Sequence, residues 1–130
     1  MVAEVELVIP HRTPELTKSA LRYAEALGVE DIQVRLIDIH VVPYDGVSLD
    51  RPTIQRKRLE RRLKRLARET NLQASAEVIY ARNWEQGLRR VLTSVSTVLL
   101  PIHRSSWRTR EKRLAARLRK TGHTIIWIDV

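Results

Sequence analysis

Thr97, Val98, Leu99, Leu100 and Ile102 form an apolar run with no polar face. A strand of that kind must be covered on both sides, as in a parallel sheet with helices packed above and below it. The polar turn that follows, His103, Arg104, Ser105, Ser106, Trp107, Arg108 and Thr109, leads into a helix carrying Arg108, Arg110, Lys112, Arg113, Arg117, Arg119 and Lys120. In an open α/β sheet, ligands bind beyond the carboxyl ends of the strands, and a helix start there can hold an anion. This junction is therefore a candidate site.

The remainder of the chain repeats the same alternation. Residues 5–10 (Val-Glu-Leu-Val-Ile-Pro) predict a first strand ended by Pro10, which has no N–H to donate. Thr13 then suits an N-cap, with Pro14 at the first helical position and Glu15 in the first turn. Leu16, Ala20, Leu21, Ala24 and Leu27 recur at helical spacing, and Gly28 stands at the C-terminal stop. Residues 32–42 predict a second strand whose later half, with Ile37, Ile39, Val41 and Val42, lies deeper in the sheet. A loop runs on to Pro52.

Residues 53–71 predict the longest helix, with Ile54, Leu59, Leu63, Leu66 and Ala67 as a narrow apolar stripe. Its other positions are mostly basic, and Glu60 offers an i,i+4 partner to Lys64. Such a helix has to be held by the sheet, because its own charges oppose it. Residues 74–81 alternate as an edge strand, and Asn83 is placed to cap a short helix over 84–92. Gly122 closes the last helix before a strand over 123–130. The order β-α-β-α-β-α-β-α-β predicts a single domain over 1–130. Its fold class is α/β, a three-layer sandwich around a five-stranded parallel sheet joined by right-handed crossovers.

The chain has no cysteine, which removes disulfides, thiol nucleophiles and thiolate metal sites and suits a reducing, cytoplasmic setting. No stretch approaches the roughly 20 apolar residues of a membrane span, and no basic segment precedes the first apolar run as in a signal peptide. Lys and Arg number 24 against 15 Asp and Glu. Eight of these cations fall in 56–68 and seven in 108–120, so the charge is patterned on two helix faces. Such faces suit an acidic protein, an anionic lipid surface or nucleic acid, and equally suit plain solvation. Few aromatics accompany them, which disfavours stacked single-stranded nucleic acid. The four histidines are scattered and have no nearby carboxylate in sequence to complete a metal site. No phosphate-loop or dinucleotide glycine motif is present, and Ser105 and Ser106 lack a nucleophile elbow.

Val8-Ile9-Pro10 closing one strand, His40-Val41-Val42-Pro43 closing the next, a long helix after it, and a fourth strand leading into a ligand loop together resemble the universal stress protein family. The resemblance covers essentially the whole chain and extends to the soluble domains that follow some amino-acid permeases. It implies an adenine-nucleotide-binding type of α/β fold with sheet order 3-2-1-4-5. It also implies a homodimer through the last strand, here Thr124, Ile126, Trp127 and Ile128, which is an unguarded apolar edge in that order.

Family members that hold ATP show an Asp after the first strand, a backbone contact at the end of the second, and a Gly-x-x-Gly-x9-Gly-Ser/Thr signature after the fourth. In this chain those positions fall on Arg12, on Val41, on Pro101 and Arg104, and on Leu114 and Ala115. Proline removes a donor and bulky side chains block the close backbone approach that glycine permits. ATP held in the family manner is not expected. Pro10, His11, Arg12, Thr13, Val41, His103, Arg104, Ser105, Ser106 and Arg108 instead form a candidate site for an adenine nucleotide or another anion, since arginine grips phosphate or carboxylate with two N–H groups at once. The expected function is a regulatory or sensing domain without catalysis, nucleotide hydrolysis being the weaker alternative. The other alternative is a basic interaction module.

Overall fold

The computed structural model describes residues 5–28, 31–42, 54–93, 96–102 and 109–129. The elements run β1 (Val5–His11), α1 (Pro14–Ala26), β2 (Ile32–Val41), α2 (Ile54–Arg68), β3 (Gln73–Ala81), α3 (Trp84–Val91), β4 (Ser96–Ile102), α4 (Thr109–Lys120) and β5 (Thr124–Asp129). All strands pair in parallel, in the order β3-β2-β1-β4-β5, as expected. β3 and β5 are the edges.

Two cores form because successive strand side chains point to opposite faces. Leu7, Ile9, Val34, Leu36 and Leu99 join Ala20, Leu21 and Ala24 of α1 and Leu63, Leu66 and Ala67 of α2. Val8, Ile37, Ile39, Val98 and Ile125 join Leu88 and Val91 of α3 and Leu114, Ala115 and Leu118 of α4. α1 and α2 thus cover one face, and α3 and α4 the other.

Local signals set the ends of the elements. Thr13 caps α1 by accepting the Leu16 N–H at 3.2 Å, and Asn83 caps α3 by accepting the Gln86 N–H at 2.8 Å. Gly28 and Gly122 follow their helices at φ +61° and +91°, a region that favours glycine. β1 does not stop at Pro10 but continues to His11. The reason lies in the pairing. β1 ladders with β4 only over Glu6, Leu7 and Val8, so Pro10 has β2 alone as a neighbour, and a missing donor on the open side costs no ladder bond.

α2 is anchored as its sequence requires. Leu63 is 1% exposed, and Leu66 and Ala67 are also buried. Each leucine contributes about 1.5–3 kcal/mol by burial. Against this stand like charges at i,i+3 and i,i+4: Lys57–Arg61, Arg58–Arg62, Arg61–Arg65, Lys64–Arg68, Arg58–Arg61, Arg61–Lys64, Arg62–Arg65 and Arg65–Arg68. At about 0.2–0.5 kcal/mol each they cost roughly 2–4 kcal/mol, less than the leucine burial supplies. Glu60 does not serve Lys64. It reaches back one turn to Arg56, Nε to Oε1 3.4 Å, whose Nη2 also donates to the Val78 carbonyl at 3.2 Å and so ties α2 to β3.

Opposite the carboxyl ends of the strands, Arg35 knits the sheet together. Its Nη1 donates to Glu6 Oε1 at 2.7 Å and to the Val91 carbonyl at 2.8 Å, and its Nη2 lies 3.4 Å from Glu77 Oε2. Ser96 Oγ donates to the same Glu6 oxygen at 3.2 Å. β1, β2, β3, β4 and the end of α3 meet in this one network.

Candidate functional site

The continuation of the β1–β4 ladder would bring Pro10 and Pro101 into the pairing, and neither has an N–H. Pairing ends at Val8 with Val98, and the two strands part where the strand order reverses. This is the crevice where open α/β sheets bind their ligands. Pro10 itself is buried in β1.

On the α3/α4 side of the crevice lies a cleft of about 940 Å³. Its floor is the end of β2, where Val41 is 55% exposed, unusual for a large aliphatic residue at a strand end. One wall is the start of α3, with Trp84 and Glu85, and another is α4, with Leu114 and Arg117. At the mouth the Arg12 guanidinium stands 4.7 Å from the Trp84 ring centroid, a cation–π contact that fixes its direction. Across the cleft Arg117 Nε donates to Glu85 Oε1 at 2.6 Å, and Arg89 Nε lies 3.3 Å from Glu85 Oε2. The Arg117 hydrogen bond, with help from Arg89, holds the Glu85 carboxyl below its ordinary value. Glu85 is therefore an anion whose charge is already met by two arginines.

His11 also lines this cleft, and its ring is held from the α1 side. Its Nδ1 is 2.6 Å from the hydroxyl of Thr17, which is wholly buried, so the ring is turned toward α1. Burial pushes its pKa down, Asp38 raises it and His40 lowers it further. Asp38 lies opposite His11 in the β1–β2 register, and His40 Nε2 is 3.2 Å from Asp38 Oδ2. That approach lacks hydrogen-bond alignment, leaving His40 Nε2 buried and unsatisfied. These three side chains, with Arg62 and Arg65 of α2, border a second cleft of about 600 Å³ on the α1/α2 side. Among the described residues no group of His, Asp and Glu is placed to hold a metal ion.

Of the predicted site residues, His11, Arg12 and Val41 come together in the larger cleft, and Thr13 caps α1. His103, Arg104, Ser105, Ser106 and Arg108 lie outside the described residues. Trp84, Glu85 and Arg117 were not anticipated as cleft residues. Asn83 pointed to a helix start there, but only the crossing of the chain over the sheet brings that start to Arg12.

Superposition on solved structures decides the fold. The chain matches the structure of a universal stress protein from Archaeoglobus fulgidus with a TM-score of 0.61 and 13% identity, over 96% of this chain and 93% of that one. The fold is that of the universal stress proteins. A chain of the tetrameric eIF2B-beta2-delta2 complex from C. thermophilum overlaps at a TM-score of 0.46 and 20% identity, covering 98% of this chain and 36% of that one, which is too loose to define a shared fold. No family model and no curated protein matches the sequence.

The residues that the sequence resemblance sets against the glycine signature can be placed in the fold at three positions. Pro101 is buried in β4 opposite Ile128. Leu114 and Ala115 are 5% and 0% exposed in the second turn of α4, where their N–H groups serve the helix itself. A phosphate has no free main-chain donors to meet at these two residues.

Proposed function

We propose that this chain is a non-catalytic regulatory domain of universal stress protein type. Its cleft takes a small anion bearing an apolar or flat part, such as an adenine nucleotide, through side chains in place of a main-chain phosphate cradle. The observation that carries this reading is Arg12 set on the Trp84 ring at the mouth of a cleft whose floor is the exposed Val41. Arg12 supplies the anion contact, Val41 and Leu114 the apolar seat, and Trp84 the support that keeps the guanidinium pointed. His103, Arg104, Ser105, Ser106 and Arg108, which follow β4 directly in sequence, are included as further candidate ligands of the anion.

Thermal-shift and calorimetric titrations with AMP, ATP, cyclic AMP and inorganic phosphate test this. At least one of the organic phosphates is expected to stabilise the protein. Arg12→Ala is expected to weaken that binding at least tenfold, since a hydrogen bond to a charged group contributes about 1.5–3 kcal/mol. Strong ATP binding that survives Arg12→Ala and Arg104→Ala would remove the side-chain account. No shift with any of the four at millimolar concentration would remove the ligand.

A further inference from the structure

The two basic helices are used differently by the fold. On α4, Arg117 is engaged by Glu85, and Arg119 lies 5.5 Å from the Trp127 ring centroid while donating to the Ile125 carbonyl. On α2, Lys57, Arg58, Arg61, Arg62, Lys64, Arg65 and Arg68 are all exposed, and among the described residues none of them has a hydrogen-bond, ion-pair or ring partner. At about 100° per residue these seven fall on one continuous arc of about 160°, some 16 Å long. Leu63, Leu66 and Ala67 occupy the opposite side and are spent on the sheet, with Leu59 partly buried beside them.

That division selects the partner. A membrane-seated helix keeps an apolar face free for the acyl boundary, and α2 has none left. A protein partner's binding centre is depleted of charge and rich in aromatic and aliphatic anchors, and the arc offers neither. Single-stranded nucleic acid needs stacking rings, also missing from the arc. What remains is a double row of phosphates. Five of the seven cations are arginines, which hold phosphate by two N–H groups at once. The two flanks of the arc are about one helix diameter apart, 10–12 Å with side chains, and the DNA major groove is about 12 Å wide. We propose that the outward face of α2 docks on the phosphate backbone of duplex DNA, without base specificity. Arg62 and Arg65 at one flank of this surface also border the smaller cleft that Arg12 lines, but the proposal rests on the arc of α2 and not on the anion reading of the larger cleft.

Fluorescence anisotropy with a labelled 20-base-pair mixed-sequence duplex tests the proposal on the full chain. Seven phosphate contacts give a slope of about −6 in log K against log salt, a loss of roughly 10³–10⁴-fold between 50 and 200 mM. Arg58→Glu/Arg61→Glu/Arg65→Glu should weaken binding at 50 mM salt at least 100-fold. The neutral Gln triple at the same positions, in case the Glu triple misfolds, should weaken it at least tenfold with a shallower slope. Arg113→Glu/Lys120→Glu on α4 should change it less than threefold. Absence of binding at 50 mM salt overturns the proposal, as does binding indifferent to both α2 triples. Polyglutamate or phosphatidylserine vesicles that bind α2 as tightly as DNA would also overturn it, in favour of an acidic protein or a lipid surface.

Discussion

Arg61 sits at the middle of α2 with Lys57 and Arg58 one turn before it and Lys64 and Arg65 one turn after. Replacing it with Glu turns four repulsive neighbours into four attractive ones while leaving helix propensity almost unchanged. At about 0.2–0.5 kcal/mol lost and regained per pair, the full change is roughly 1.5–4 kcal/mol. Solvent and salt around an exposed side chain hold it to the lower end, about 1.5 kcal/mol. For a domain of this size that is an increase of roughly 6 °C in Tm. Arg61→Glu is therefore expected to raise Tm in a calorimetric scan at 20 mM salt, and most of the gain should vanish at 1 M salt, where the Debye length is about 3 Å. A single charge reversal that lowers Tm, or a gain that ignores salt, would show that α2 is not under the electrostatic load described here. Most surface substitutions are neutral or mildly destabilising, so the sign alone is informative.

Three further outcomes are expected. At Gly87 an added Cβ would stand 2.7 Å from Ile39 Cγ2 and 3.1 Å from the Ala81 Cβ, so Gly87→Ala should destabilise by about 1–2 kcal/mol in urea titration despite alanine's better helix propensity; a stabilised variant would refute the tight α3–sheet contact. His11 has a folded pKa below its unfolded one, so the unfolded chain takes up the proton first as pH falls below about 6.5, and stability should drop from there downward. His11→Gln should flatten that drop in Tm measured from pH 8 to 5, and an unaltered slope would dismiss His11 as its source. The β5 edge, with Thr124, Ile126, Trp127 and Ile128, is expected to pair with a second copy, giving twice the chain mass by light scattering and a monomer for Ile128→Lys; a wild-type monomer at micromolar concentration would count against it.

All nine elements were readable because each strand and helix carries its own signal: apolar runs, Thr13 before Pro14, Asn83 before Trp84, Gly28 and Gly122 at helix ends. The sheet order was legible only through the resemblance to the universal stress proteins, since no local signal says which strands are neighbours. What was not readable depends on register between distant segments. Asp38 looks like a lone polar interruption of an apolar strand until the β1–β2 pairing sets it beside His11. Arg35 alternates harmlessly in sequence, yet it meets acids 29 and 42 residues away on two neighbouring strands. Trp84 reads as the first residue of a helix, and only the path of the chain over the sheet places it under Arg12. The burial of Pro101, Leu114 and Ala115 was legible because such residues announce themselves by type. The Glu60 pairing was not, since Arg56 and Lys64 are equally spaced from it and the contact of Arg56 with the Val78 carbonyl decides between them.

The Arg35 junction lies about six strand residues, roughly 20 Å, from Arg12 and Trp84. One end of the sheet is thus riveted across four strands, while the other splays open at two prolines. The proposed ligand cleft and the Arg35 network therefore draw on different residues of the same strands. Rebuilding the open end for a new ligand should leave the melting temperature nearly untouched, whereas a single change at Arg35 would loosen the scaffold and leave every ligand contact chemically intact.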